Sequence, residues 1–284
     1  MPELPEVETI RRGLAETIIG LKIKEIDILS AKSFLGKKES LIGKKITLVE
    51  RRGKNLILSI DGSYFLLIHL KMTGQLIFLN KETRLAGGHP SKDWSGKLPN
   101  NHTRVIFSFS DGSKLFFNDL RKFGWIKVVT MKEKEHKLSI LGLEPLSLKF
   151  NGHYLKNFAK KYPKKPLKQL LLDQSIIAGI GNIYADESLF LAKINPKTEI
   201  SKLTDKDYQN IVTSVKKVLH LSLLHGGTSD SDYLTIEGKK GGMQHHLNVY
   251  HRQDKNCPRC GQKIVKIKLA GRGTHYCPNC QKGN

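Results

Sequence analysis

MPELPEVETIRRGLAETIIG, residues 1–20, changes the texture of the chain at its end. Val7, Ile10, Leu14 and Ile18 recur at helical spacing, and Gly20 supplies a stop. The spacing predicts one amphipathic helix over residues 3–19. Afterwards the apolar period drops to two. Strand patterns follow at 21–29, 44–50, 55–60, 64–70, 75–79, 103–110, 114–118 and 124–129. Asp61-Gly62 and Asp111-Gly112 mark hairpin turns. A single helix ahead of about eight short strands implies an antiparallel sandwich or barrel. The polar stretch 81–102 reads as a loop.

The same opening raises a chemical question. Pro2 and Pro5 suit a first helical turn, and Glu3, Glu6 and Glu8 suit its dipole. Pro2 behind the initiator methionine also suits chemistry. Removal of Met1 would leave a secondary amine with a pKa near the ~7.7–8.0 of ordinary α-amino groups. These nine residues leave both readings open.

Composition narrows the class. The 284 residues hold 48 Lys plus Arg against 26 Asp plus Glu, a net charge of +22. That excess points to a polyanionic partner, with nucleic acid the default. No apolar run approaches the roughly 18 residues needed to span a bilayer. The acidic first twenty residues do not resemble a signal peptide. The expectation is a soluble cytoplasmic protein with no membrane partner.

All four cysteines lie near the end, as Cys257-Pro-Arg-Cys260 and Cys277-Pro-Asn-Cys280, sixteen residues apart. Two C-x2-C knuckles predict one tetrahedral thiolate zinc site. His245, His246, His251 and His275 are not needed as ligands and read as surface or DNA-facing residues. Residues 251–284 carry eight Lys/Arg against Asp254 alone, so the zinc module is itself basic.

Between strands and cysteines the texture is helical. Patterns occur at 151–162, 166–173 and 182–193, then over 203–227, where Thr204 and Asp207 form an N-cap pair and Gly226-Gly227 end the run. Residues 228–250 are loop-like. The division is 1–130, 131–250 and 251–284.

MPELPEVETIRRGL, RRGKNLIL (51–58), HLKMTG (69–74), DLRKFG (119–124), GIGNIYADESLF (179–190), GGT (226–228) and the cysteine pairs occur in one order along the whole chain. Together they resemble the formamidopyrimidine-DNA glycosylase family, bacterial enzymes that excise oxidised purines such as 8-oxoguanine. The resemblance implies an α+β multidomain fold: an N-terminal helix with an antiparallel β-sandwich, then a helix–two-turn–helix domain ending in a zinc finger.

It also implies roles. Pro2 becomes the nucleophile and Glu3 the general acid/base, with Glu6 a supporting carboxylate. Glu8 is expected to face solvent. Lys54, His69, Asn182 and Arg272 correspond to phosphate-contacting positions, Lys54 and Arg272 being counted with the catalytic set. Met72, Arg121 and Phe123 correspond to the trio that fills the void left by a flipped base. Thr228 belongs to a loop at 226–243 that folds over the lesion. Lys168 matches a lysine near the lesion, with a solvated helix face as the alternative. Cys257, Cys260, Cys277 and Cys280 hold one structural zinc.

The implied activity is a bifunctional glycosylase and abasic-site lyase of base excision repair. Its partner would be duplex DNA bearing an oxidised purine or abasic site, bound by a monomer. Two alternatives stand beside it: an endonuclease VIII-like enzyme for oxidised pyrimidines, and a catalytically silent DNA-binding zinc protein. The sequence departs from the family pattern at Leu120, Lys122 and Lys239-Lys240-Gly241-Gly242.

Overall fold

The structure, a computed structural model, describes residues 1–89, 95–228 and 242–282. They group into two compact units, Met1–Ile140 with Leu223–Gln244, and Leu141–Ser222 with His245–Asn284.

The first unit begins with α1 (Leu4–Thr17). Glu3 caps it: its backbone N–H donates to Glu6 Oε2 at 2.8 Å. Leu4, Val7, Ile10 and Leu14 are buried on one face. Ten strands follow: β1 (Ile23–Ile28), β2 (Phe34–Leu35), β3 (Ile46–Arg52), β4 (Asn55–Ile60), β5 (Tyr64–His69), β6 (Gly74–Leu79), β7 (Arg84–Gly88), β8 (Thr103–Phe109), β9 (Lys114–Asp119) and β10 (Trp125–Thr130). They form two five-stranded sheets, ordered β1-β8-β9-β6-β7 and β2-β10-β5-β4-β3. All pairings are antiparallel except β2 with β10. Side chains of both sheets and α1 share one core, which includes Ile10, Leu56, Ile68, Phe78, Phe107 and Phe117. The sandwich expectation holds.

Three elements escaped the sequence reading. β7 lies inside the stretch read as a polar loop. It carries Gly87, where a Cβ would come within 2.4 Å of Ile10 Cγ1, so a bare backbone is what lets this strand pass under α1. β2 is only two residues long. The third, α2 (Met131–Ser139), buries no residue and therefore shows no apolar stripe. Its only sequence mark is the Thr130/Glu133 capping box, in which Thr130 N donates to Glu133 Oε2 at 2.9 Å.

The second unit holds α3 (Gly152–Lys161), α4 (Leu167–Leu171), α5 (Asn182–Ala192) and most of α6 (Asp205–Leu224), then a hairpin of β11 (Val265–Leu269) and β12 (Arg272–Tyr276). Thr204 caps α6 as the sequence predicts, with Thr204 N donating to Asp207 Oδ2 at 2.8 Å. α5 is buried on nearly every side, including Asp186 and Glu187. Among the described residues no helix is long and apolar enough to cross a membrane.

Candidate functional site

In the first unit the candidate residues gather at one end of the sandwich and at the entry to α1. Pro2 is buried, and Glu3 and Glu6 are 2% and 3% exposed. Glu6 works on two sides. Oε2 accepts from Glu3 N, while Oε1 accepts from Thr228 N at 2.7 Å and Thr228 Oγ1 at 3.0 Å. Gly227 makes that approach possible: with φ +89°, a Cβ there would come within 2.9 Å of Glu6 Oε1. The carboxylate thus fastens the start of α1 to the segment after α6. The rest of the 226–243 loop lies outside the described residues from 229 to 241.

Glu8 does not face solvent. Its carboxylate meets Arg11, Arg12 and Arg51 at 3.0–3.1 Å. Burial pushes its pKa up, but the three guanidinium groups outweigh that and hold it below the ordinary glutamate value. Arg51 continues the chain of contacts, donating from Nη1 to Gly53 O at 2.9 Å. Gly53 and Lys54 form the turn between β3 and β4, with Gly53 at φ +57°. Through Arg51, α1 therefore grips the turn that carries Lys54. Lys54 itself is only 6% exposed, so it is not a solvated turn lysine.

His69 closes β5 opposite Asn55 of β4 and Trp125 of β10. Burial lowers its pKa to about 3, with the charges of Lys71 and Lys54 adding to the effect. The ring is therefore neutral near pH 7. Its Nδ1 accepts from Lys71 N at 3.0 Å, which places the remaining proton on Nε2. A neutral imidazole fixed in this tautomer offers one N–H donor.

The two loops beyond His69 expose the trio expected at a void. Met72 is 38% and Phe123 55% exposed, in a unit whose other large apolar side chains are mostly buried. The Arg121 guanidinium lies 4.9 Å from the Phe123 ring centre. Leu120, which departs from the family pattern, precedes Arg121 and is exposed too.

In the second unit the candidates meet at the zinc hairpin. Arg272 is exposed and follows the two-residue turn Ala270-Gly271, both at positive φ. Three side chains hold the strand behind it. Asn182 Nδ2 donates to Gly273 O at 2.9 Å. Lys168 Nζ donates to Gly273 O at 3.0 Å and Thr274 Oγ1 at 2.9 Å. Asp186 accepts from His275 N at 2.9 Å and pairs with Lys168 Nζ at 2.6 Å.

Two expectations change here. Lys168 is 1% exposed, so the solvated helix face is wrong. His275 is 2% exposed and faces Asp186, so it is not a surface histidine. Asp186 itself was missed, since an acidic residue within NIYADESLF gives no sequence sign of burial. Its neighbour Glu187 pins the loop before the zinc module, accepting from the backbone N–H groups of Asn248, Val249 and Tyr250 at 2.8–3.0 Å. Burial raises its pKa against the pull of those donors.

The four cysteine sulfurs lie within 4.8 Å of one another, with Cys257–Cys280 at 3.9 Å and Cys260–Cys277 at 3.5 Å. Zinc–thiolate bonds of ~2.3 Å in a tetrahedron separate sulfurs by roughly 3.8 Å. The donor set therefore fits one zinc ion, which this module binds as a structural metal. Around it the apolar core is small: Phe190, Val249, Cys257, Ile264 and Cys277, with Cys280 alongside.

Three family profiles match the chain. Residues 1–126 match the formamidopyrimidine-DNA glycosylase N-terminal domain, residues 141–233 its H2TH domain, and residues 254–283 the zinc finger found in FPG and IleRS. Formamidopyrimidine-DNA glycosylase of Pelotomaculum thermopropionicum is 40% identical, with 99% of each chain covered. That of Prochlorococcus marinus is 41% identical, covering 99% of this chain and all of its own. Among solved structures, a complex of Lactococcus lactis Fpg with DNA containing an abasic site superposes with a TM-score of 0.86. It is 34% identical, over 99% of both chains. A complex of the same enzyme with DNA containing an oxidised pyrimidine gives 0.85 at 35% identity, covering 99% of this chain and all of that one.

Proposed function

The chain belongs to the formamidopyrimidine-DNA glycosylase family, and on that footing we propose that it is a bifunctional DNA glycosylase and abasic-site lyase for oxidised purines. It acts in base excision repair on duplex DNA in the cytoplasm. Removal of Met1 leaves Pro2 with a secondary amine. Its nitrogen bonds to the sugar C1′ as the bond from C1′ to the base breaks, and the base leaves with a proton. Glu3 protonates the ring oxygen, so the sugar opens to a cationic iminium on Pro2. Loss of a C2′ proton into that electron sink expels the 3′ phosphate. A second elimination, with loss of the C4′ proton, expels the 5′ phosphate. Water then hydrolyses the iminium, freeing Pro2 and the sugar fragment and leaving a one-nucleoside gap.

The observation that carries this reading is the Glu6 junction. It holds the buried Pro2–Glu3 entry of α1 against Thr228, where the lesion-covering loop begins. Arg272, Lys54 and His69 are assigned to DNA phosphates; His69 serves there as a neutral donor through Nε2. Asn182 joins them through the first turn of α5, where backbone N–H groups attract an anion. Its side-chain amide is committed to the hairpin. Lys168 is assigned to holding that hairpin rather than to the lesion. Met72, Arg121 and Phe123 fill the void when the base is flipped out.

A competition assay tests the substrate. Duplexes carrying 8-oxoguanine opposite cytosine and thymine glycol opposite adenine are mixed and their gapped products separated. Faster loss of the 8-oxoguanine duplex supports the reading; preference for thymine glycol contradicts it in favour of an endonuclease VIII-like specificity. Binding of both without any cutting by the Met1-free chain would contradict catalysis altogether.

A further inference from the structure

We propose that Asp119 and Thr73 form a clasp that fixes the exposed Met72, Arg121 and Phe123 into one wedge before DNA arrives. The inference rests on the void-filling role proposed above and names the residues that make it possible.

The two loops involved are separate in sequence. One joins β5 to β6 and carries Met72; the other joins β9 to β10 and carries Leu120 to Gly124. Their bases meet where Gly74 pairs with Asp119 in the sheet. Asp119 is fully buried and Thr73 is 8% exposed. Thr73 Oγ1 donates a short hydrogen bond to Asp119 Oδ1. The same hydroxyl accepts from Arg121 N at 3.0 Å, and Asp119 Oδ1 accepts from Arg121 N at 3.2 Å. Asp119 Oδ2 accepts from Gly124 N at 2.6 Å. One carboxylate therefore spans both ends of the 120–124 loop and reaches across to the Met72 loop.

Among the described residues, the carboxylate's hydrogen-bond partners are a hydroxyl and two backbone N–H groups, none of them a cation. Burying a charge on such partners is costly unless the hydrogen bonds are well aligned. The surroundings align them. Asp119 N donates to His102 O at 2.8 Å, and Arg104 Nε donates to Asp119 O at 2.8 Å. Gly124 brings its N–H to Oδ2 only because it has no side chain: a Cβ would lie 2.8 Å from Phe117 Cζ. Both tips also contain a left-handed residue that is not glycine, Lys71 at φ 52° and Lys122 at φ 56°, each next to an exposed wedge residue. Such a conformation persists when neighbouring contacts over-determine it. A wedge already ordered in the free protein loses less entropy when it enters the base stack.

Asp119 and Thr73 thus act as positioning residues that touch no DNA. The test uses the Met1-free full-length chain as wild type, Asp119→Asn, Thr73→Val and Thr73→Ser. Two substrates separate flipping from chemistry: an 8-oxoguanine duplex with 2-aminopurine beside the lesion, and a single strand with an abasic site, where no base must be extruded. Thr73→Val and Asp119→Asn are expected to slow single-turnover excision from the duplex by about ten- to a hundredfold and to shrink the 2-aminopurine signal. Cutting of the single strand should fall far less. Thr73→Ser, which keeps the hydroxyl, should return duplex excision to within about threefold of wild type.

Folded variants that match wild type in duplex rate and fluorescence would overturn the clasp. Equal losses on both substrates would also overturn it, as they mark a general structural role. Thr73→Val retains the buried carboxylate and is the variant to read if Asp119→Asn does not fold. A wild-type chain that cuts neither substrate would defeat the glycosylase reading itself, an outcome distinct from variants that equal an active parent.

Discussion

The sandwich and the zinc hairpin present cations in opposite ways. Lys54 sits on a β-turn backed by an apolar core that runs from Val7 to Val128, with Arg51 and Glu8 tying the turn to α1. Arg272 stands at a hairpin whose own apolar core is a handful of residues. Its position is set by four thiolates and by the buried hydrogen bonds of Asn182, Lys168 and Asp186. A large core holds a turn in place cheaply, so the charged contacts around Lys54 refine its position. The hairpin has no such core, so its polar contacts are the structure. Removing one charged contact around Lys54 should therefore cost little stability, and removing one behind Arg272 much more.

Metal removal is the harshest way to break that contrast. Structural zinc is worth about 10–16 kcal/mol in small modules near pH 7. Chelation, or Cys277→Ser, should unfold the hairpin and abolish specific DNA binding while the sandwich keeps its β circular-dichroism signal. Loss of both together would show that the units do not stabilise separately.

Lys168→Met comes next. It strands Asp186, whose partner charge is as buried as itself. Breaking such a pair costs about 3–5 kcal/mol. Thermal melting should show a large fall in stability with zinc still bound at one equivalent. A change under about 1 kcal/mol would place Lys168 at the surface in solution, at odds with its contacts here.

His69 gives a pH test in the first unit. Its folded pKa of about 3 lies below the ordinary value of 6.5. Above pH 6.5 neither state holds the proton and the group is silent. As pH falls from 6.5 to 3, the unfolded chain takes up a proton that the folded one refuses, and stability drops by up to about 1.4 kcal/mol per pH unit. Denaturant melts of His69→Gln should lose that component of the slope. Identical slopes for variant and wild type would mean that the ring is not buried neutral.

The smallest effect is assigned to Glu8→Gln. Its three partners are partly exposed arginines, and such pairs contribute about 0–1 kcal/mol. Melting should change within that range, while the DNA affinity attributed to Lys54 weakens because Arg51 loses its guide. Unchanged affinity would remove Glu8 and Arg51 from the positioning of that turn.

What the sequence made legible follows the same contrast. α1 was readable because its buried face repeats at Val7, Ile10 and Leu14, and most strands because they are short apolar runs, such as NLILSI and YFLLIH, bounded by turns. β7 was not, because the glycines that let it pass α1 read as loop. The zinc ligands were readable from spacing, since a metal site needs its residues at fixed intervals. Lys168, Asp186 and His275 were opaque. Each looks like a surface charge, and only the fold brings residues about a hundred positions apart into one buried set. Asp119 and Thr73 were hidden similarly: DLRKFG and HLKMTG advertised the exposed wedge residues, while the groups that hold them carry no periodic mark.

The central claim is that the Pro2 amine does the chemistry. Wild-type protein freed of Met1 would be incubated with an 8-oxoguanine:cytosine duplex and sodium borohydride, and any cross-link mapped by mass spectrometry. The account expects one covalent adduct on Pro2, with Pro2→Gly losing most of its excision activity. Tight binding without an adduct by a chain with a verified Pro2 terminus, or an adduct on a lysine instead, would contradict it.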